Sequence, residues 1–371
     1  MDTDYRLADY LFCLDVWARC VGPRGFPGAN TSPRFISGVV SVARLFVCIA
    51  ALSAVVACAP VLKPAGPAIR TPAIADGNLI ARDNERLPLT SWPARQSPDA
   101  VIIALHSFRD YHKAYDELGR WFAARGVSVY AYDQRGFGGA PNRGLWAGTE
   151  TMVGDLRDAI IAVRAANPDT RVLLAGESMG AAVIMALMAS PNPPPVAGIV
   201  LVAPAVRGKL VRNPFGDALL SLATITAPGN KTRVRQRPDP TLSAVASARL
   251  RDDPLVLRDV RVDTYAGLMA LADVASISAS RIDVPSLLLF GANDGSVTLA
   301  SVCDAQTRIR QSLLSTVFYA DGPHLLLQTL DNERAFTDIK AWMSGTPPPS
   351  LENENVATDL PRFCRTPHVA G

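Results

Sequence analysis

Ser178 sits in the pentapeptide Gly176-Glu177-Ser178-Met179-Gly180, directly after the apolar run Val172-Leu173-Leu174-Ala175 and directly before an apolar stretch from Ala181 to Ala189. A serine flanked by glycines at two residues' distance, between a strand and a helix, belongs on a sharp turn. The glycines remove side chains where the two elements nearly collide, and the hydroxyl points outward. A serine hydroxyl is a weak nucleophile and needs a base. His324, in Asp321-Gly322-Pro323-His324, follows the strand-like segment Thr316–Tyr319. Asp294, in Gly291-Ala292-Asn293-Asp294-Gly295, follows the apolar run Ser286–Phe290. Loops at the C-terminal ends of strands are where such groups gather. A carboxylate that holds the imidazole in one tautomer completes the set. The chemistry expected is nucleophilic acyl transfer, with Ser178 as nucleophile, His324 as base and Asp294 as orienting acid. Asp321 is a nearby rival, but it lies too close to His324 in sequence to be the partner.

A tetrahedral oxyanion needs two backbone donors. Met179, directly after the nucleophile, supplies one. The other is expected from the loop His106-Ser107-Phe108 after the strand ending at Leu105, and is assigned to Phe108. His106 is read as a packing and hydrogen-bonding residue beneath that loop.

These groups must be placed by the elements between them. Leu79–Arg82 and Leu87–Trp92 read as short edge strands joined by a turn. Ala100–Leu105 is apolar throughout, as a strand buried on both faces would be. Tyr111–Ala124 has helical spacing and ends at Gly126, and Val127–Tyr132 is the next strand. Thr151–Ala166, Gly180–Ala189, Leu299–Ile309 and Glu333–Met343 read as helices. Arg171–Gly176, Val196–Ala203, Pro285–Phe290 and Thr316–Tyr319 read as strands. Such alternation requires a mostly parallel central sheet with helices on both faces. One segment, 207–282, breaks the rhythm. It shows no strong strand and three helical stretches, Pro214–Ala223, Leu242–Leu250 and Thr264–Ser278, and is expected to form a helical cap over the C-terminal edge of the sheet. The segments on either side, 75–206 and 283–344, form the core. The tail, 345–371, is Pro-rich and then polar, and is expected to lie loosely on the surface.

The sets His106-Ser107-Phe108-Arg109-Asp110-Tyr111, Asp133-Gln134-Arg135-Gly136-Phe137-Gly138, Gly176–Gly180, Gly291–Asp294 and Gly322-Pro323-His324 resemble the monoacylglycerol lipase/lysophospholipase branch of α/β-hydrolases, the serine aminopeptidase S33 type. The resemblance covers about residues 75–344. It implies the α/β-hydrolase fold, hydrolysis of monoacylglycerols, lysophospholipids or similar acyl esters through an acyl-enzyme on Ser178, no cofactor, and a cap that lines an acyl channel. It carries Ser178, Asp294 and His324 over as the triad, with Phe108 and Met179 as oxyanion donors. Ser107 departs from the glycine usual after the histidine, and Phe137 from a frequent histidine. Cap cations Arg207, Lys209, Arg212, Lys231, Arg233, Arg235 and Arg237 are read as a solvated face, the alternative being contact with a phospholipid head group or a membrane surface.

The N-terminus poses a targeting question. From Leu45 to Ala57 runs an apolar stretch behind Arg44, shorter than a membrane span needs and matching a signal-peptide core. Its end, Val55-Val56-Ala57-Cys58, resembles the bacterial lipobox, which implies cleavage before Cys58, lipidation of that residue and residence in the cell envelope. Residues 1–57 would then be an extension plus signal, and 58–74 a Pro/Ala tether. An uncleaved anchor and a cytoplasmic protein with an unused signal remain the alternatives.

Composition narrows the function classes. A net charge of +3 and 7% aromatics give no polyanion-binding face, which argues against nucleic acid. The six cysteines form no CxxC and the four histidines no cluster, so no metal is expected. Disulfides are left open. Two rivals stand beside the ester hydrolase: an aminopeptidase or amidase with the same triad, which would need a cap carboxylate for a substrate amine, and a non-catalytic lipid-binding protein. An aspartate-nucleophile relative is disfavoured by Ser178.

Overall fold

A computed structural model describes residues 60–208, 213–234, 239–351 and 364, all within the unit Val55–Gly371. Cys58 lies outside the described residues. So do Lys209, Arg212, Arg235 and Arg237.

The central sheet has nine strands: β1 (Ala73–Ala75), β2 (Asn78–Ile80), β3 (Arg86–Trp92), β4 (Ala100–Leu105), β5 (Val127–Tyr132), β6 (Arg171–Glu177), β7 (Gly198–Val202), β10 (Ser286–Gly291) and β11 (Leu314–Tyr319). Their spatial order is β1-β2-β3-β5-β4-β6-β7-β10-β11. The first four pair antiparallel at one edge, and β5 through β11 are parallel. β4 explains why the middle is apolar on both sides. Val101, Ile103 and Leu105 enter one core, while Ala100, Ile102 and Ala104 enter the other, as the two-residue period of a strand requires. Helices α2 (Thr149–Ala166) and α3 (Met179–Met188) cover the first face, and α1 (Asp116–Ala123) and α8 (Asn332–Met343) the second. All ten residues of α3 are buried, which accounts for a helix apolar all round. α7 (Leu299–Arg308) follows β10. The chain therefore has the mostly parallel sheet with helices on both faces that its alternating pattern predicts, in the α/β-hydrolase arrangement that the resemblance implies.

The expected boundaries move by a few residues, with two larger changes. The first turn of the Tyr111–Ala124 stretch is a 3-10 turn, His112–Tyr115. Here Asp133 Oδ1 takes both the His112 N–H and its Nδ1–H, at 2.8 and 2.7 Å. The cap, read as purely helical, has α4 (Pro214–Thr226), α5 (Ala244–Asp252) and α6 (Val262–Ser278), but also a small antiparallel pair, β8 (Lys231–Arg233) with β9 (Asp259–Arg261). These three-residue strands are polar and mostly exposed, so they carry no apolar alternation by which a sequence reading finds strands.

Both ends of the folded part are fastened rather than loose. The segment read as a tether lies along the domain. Val61 N–H donates to Asp263, Lys63 N–H to the Trp146 carbonyl, Ala65 N–H to Thr151 and Gly66 N–H to Asp83. β1 then begins inside the tether's expected bounds. A Pro/Ala composition suggested an unpaired chain, but every one of those amides has an acceptor on the domain. The tail is held as well. Ser350 is buried with its N–H on Asp338 at 2.9 Å, and Cys364 is disulfide-bonded to Cys303 of α7.

Candidate active site

Ser178 joins β6 to α3 with φ of 54°, a left-handed conformation unusual for a residue with a side chain and typical of strained functional turns. Its neighbours leave no alternative. A Cβ on Gly176 would strike the backbone of Gly180 and Ala181, and one on Gly180 would strike the Leu105 carbonyl. Ser178 N–H donates to Val202 O at 2.9 Å, and its carbonyl accepts from Ala182 and Ala205. The turn is thus pinned to β7 behind it and α3 below it.

The two loops that carry the other groups are pressed together. A Cβ on Gly291 would collide with the Gly322 backbone, and Asn293 N–H donates to Gly322 O at 2.9 Å. This brings Asp294 Oδ2 within 2.8 Å of His324 Nδ1, and His324 Nε2 within 3.0 Å of Ser178 Oγ. Asp294 Oδ1 accepts from the N–H groups of Ser296 and Val297 at 2.7 and 2.8 Å, so both carboxylate oxygens are engaged. The Asp294 side chain is 1% exposed. A carboxylate acceptor at Nδ1 places the imidazole proton there and leaves the Nε2 lone pair facing the serine hydroxyl. Asp321 is 85% exposed and faces Arg334, so it is not the partner.

The loop after β4 closes one side of the site. His106 is buried. Its Nε2 accepts from Gln134 N–H at 3.0 Å, so Nδ1 carries the proton and meets Ser107 O at 2.9 Å. Burial pushes its pKa down, which keeps it neutral and out of acid–base work, as its position suggested. Phe108 packs edge-on against Phe137, with ring centroids 5.5 Å apart. The Phe137 departure therefore has a packing role. Met179 is the first residue of α3, where an N–H has no acceptor within the helix. The N–H groups of Phe108 and Met179 donate to no other group among the described residues.

Above Ser178 and His324 opens a cavity of about 600 Å³. Its walls are mainly apolar, including Leu242, Leu250, Leu268, Met269, Ala272 and Val297. Most come from the cap and the start of α7. Charged groups also line it: Arg109, Arg207 and Asp239. Arg207 pairs with Asp217 and with Asp273, the latter at 3.5 Å, so it ties the cap together rather than forming a solvated face. Lys231 and Arg233 lie exposed on β8.

Sequence reasoning missed a buried polar chain beneath the site. Glu177 accepts from Leu327 N–H at 3.1 Å and from Gln328 Nε2 at 2.6 Å. Gln328 Oε1 accepts from Arg249 of α5 at 2.5 Å, and Arg249 also pairs with Asp110. The chain links the serine turn, the histidine loop, the oxyanion loop and the cap. Burial pushes the Glu177 carboxyl up to about 7, although the two donors favour its charge. The signal was an acid at the second position of the pentapeptide between two apolar elements, where a charge is costly to bury.

The family model described as "Serine aminopeptidase, S33" matches residues 96–331, more than half of the chain. A mouse protein named monoglyceride lipase is 27% identical over 230 residues, 58% of this chain and 72% of that protein. An uncharacterized abhydrolase domain-containing protein of Dictyostelium discoideum is 25% identical over 228 residues, 60% of this chain but only 23% of that protein. Among solved structures, the monoacylglycerol lipase of Paleococcus ferrophilus superposes with a TM-score of 0.59 at 19% identity, covering 70% of this chain and 98% of that one.

Proposed function

The chain is a serine hydrolase belonging to the serine aminopeptidase S33 family, and from that premise we propose that it cleaves carboxylic esters of the monoacylglycerol or lysophospholipid type. The observation that carries this reading is the unbroken run Asp294–His324–Ser178 at the floor of an apolar cavity. In the proposed mechanism Ser178 Oγ attacks the ester carbonyl while His324 Nε2 takes its proton. Asp294 holds the imidazole and stabilises the cation that forms. Phe108 and Met179 N–H groups receive the developing oxyanion, each such donor being worth roughly a hundred- to a thousandfold in rate. The proton then passes from His324 to the leaving alcohol. Water, deprotonated by His324, releases the acid and restores Ser178. The apolar cap wall would hold the acyl chain.

The monoglyceride and monoacylglycerol lipases among the relatives support the ester reading. The amidase rival needs a cap carboxylate for a substrate amine. Asp239 lines the cavity, but its Oδ1 already accepts from Thr241 N–H and Thr241 Oγ1 at 2.9 and 2.6 Å. A panel of decanoylglycerol, decanoyl lysophosphatidylcholine, 4-nitrophenyl esters and an aminoacyl anilide tests the choice. Ester turnover without anilide turnover is expected, and the reverse would move the assignment to the peptidase.

We also propose that Cys58 is lipidated and the enzyme held at a membrane surface of the bacterial cell envelope. The apolar stretch ending at Cys58 supports this reading. So does the Cys303–Cys364 disulfide, a bond that persists in oxidising compartments. Val61 is fastened to Asp263 at the start of the cap helix α6. Intact mass of the mature protein made in a bacterial host is expected to show a diacylglyceryl-cysteine N-terminus. An unmodified chain that retains residues 1–57 would overturn the assignment.

A further inference from the structure

Arg109 follows Phe108 in the loop that closes the site, and its side chain lines the same cavity as Ser178 and His324. Its φ is 72°, a conformation that glycine adopts freely and a long side chain adopts only at a cost. The backbone is nonetheless locked there, because Leu257 N–H from the cap donates to Arg109 O at 2.8 Å.

The guanidinium is half-buried, and burial lowers its pKa. Among the described residues it forms no ion pair, donates no hydrogen bond and stacks on no ring. Its neighbour Asp110 attracts it electrostatically but is not in ion-pair contact with it; Asp110 Oδ1 pairs with Arg249 and accepts from Tyr111 N–H. Asp239 Oδ1 accepts from Thr241 and is not paired with Arg109, and Arg207 has two carboxylates of its own. Arg109 is therefore the cation of the cavity wall without an ion-pair partner among the described residues. A partly desolvated cation is costly unless something pairs with it. Its planar fork fits two oxygens of a carboxylate or phosphate.

We propose that Arg109 is a specificity-determining residue that selects acyl esters bearing an anionic group, a carboxylate or a phosphate, over neutral ones. This rests on the ester-hydrolase reading and narrows it. The guanidinium takes no part in bond making. It forms charge-assisted hydrogen bonds to the substrate's anion inside the cavity, where the surrounding apolar wall strengthens them.

The test measures binding and turnover separately. Binding of decyl phosphate, of decanoate and of the neutral 1-decylglycerol is followed by calorimetry for the full chain, for Arg109→Gly and for Arg109→Lys. Glycine is at home at this φ, so the substitution does not endanger the loop. The neutral ligand reports whether the cavity is assembled. In Arg109→Gly the preference for at least one anion over 1-decylglycerol is expected to fall about tenfold or more, the usual worth of a charged hydrogen bond. Arg109→Lys should retain part of that preference. The arm that responds tells phosphate from carboxylate. If both preferences stay within about twofold of the original, the proposal is overturned. Hydrolysis of decanoylglycerol is assayed alongside. Its failure would count against the ester reading, while the binding ratios still judge Arg109.

Discussion

Glu177 should make the protein less stable as pH rises through the neutral range, and Glu177→Gln should remove that dependence. The carboxyl is buried behind the serine turn, and its pKa rises from 4.5 to about 7 on folding. Below the unfolded value both states are protonated and the group contributes nothing to the difference. Between 4.5 and about 7 the unfolded chain loses the proton and the folded one keeps it, so stability falls as pH rises. Above about 7 the whole penalty is present. At about 1.4 kcal/mol per unit, the full shift amounts to about 3.5 kcal/mol. Urea unfolding at pH 5 and pH 8 reads this directly, as a change of about 1 M or more in the midpoint. Glutamine keeps the shape but gives Gln328 a poorer partner, since Gln328 Oε1 is committed to Arg249. The variant therefore starts from a lower stability. The decisive quantity is the difference between the two pH values, because contributions from other acids are common to both proteins. That difference should shrink by about 2.5 kcal/mol in Glu177→Gln, since part of the shift is already lost at pH 5. An equal pH dependence in the two proteins would refute the reading that burial raises the Glu177 pKa on folding.

Three further outcomes follow from the packing. Arg249→Leu leaves the buried Asp110 without its cation and should cost about 3–5 kcal/mol in denaturant unfolding; a loss under about 1 kcal/mol would mean that the pair is not coupled to the fold. Gly180→Ala puts a methyl group into the Leu105 carbonyl, so the soluble yield or melting temperature should drop sharply, and a variant that melts with the parent would contradict the turn geometry. Cys303→Ser frees the tail from α7 and should lower stability by about 2–4 kcal/mol; reduction of the parent should reproduce the effect, and no change in either experiment would show that the tail is not coupled to the core.

The parts of this molecule that were legible in its sequence are those where one residue type answers one physical demand. Gly176 and Gly180 are required by backbone approach, and Asp294 and His324 follow strand ends in the Ser, Asp, His order of α/β-hydrolases. β4 and α3 announce themselves by being apolar throughout. What escaped the reading depends on partners far away in the chain. Nothing local marks Arg249 as the cation for Asp110, since the two are separated by 139 positions. Cys303 and Cys364 carry no spacing signal. The residues after Pro60 look like a free linker until the acceptors on Trp146, Thr151 and Asp263 are seen. β8 and β9 are too short and too polar to show a period. Arg109 stands within a motif, but only the cavity reveals that it has no ion-pair partner among the described residues.

Reaction with a fluorophosphonate, followed by intact mass and peptide mapping, tests the central claim most directly, because that reagent requires a serine activated by its base. The parent should gain one adduct, located on Ser178. Ser178→Ala should gain none, and His324→Ala, which keeps the serine but lacks the base, should react far more slowly. Labelling at another residue, or equal labelling of the parent and Ser178→Ala, would contradict the account.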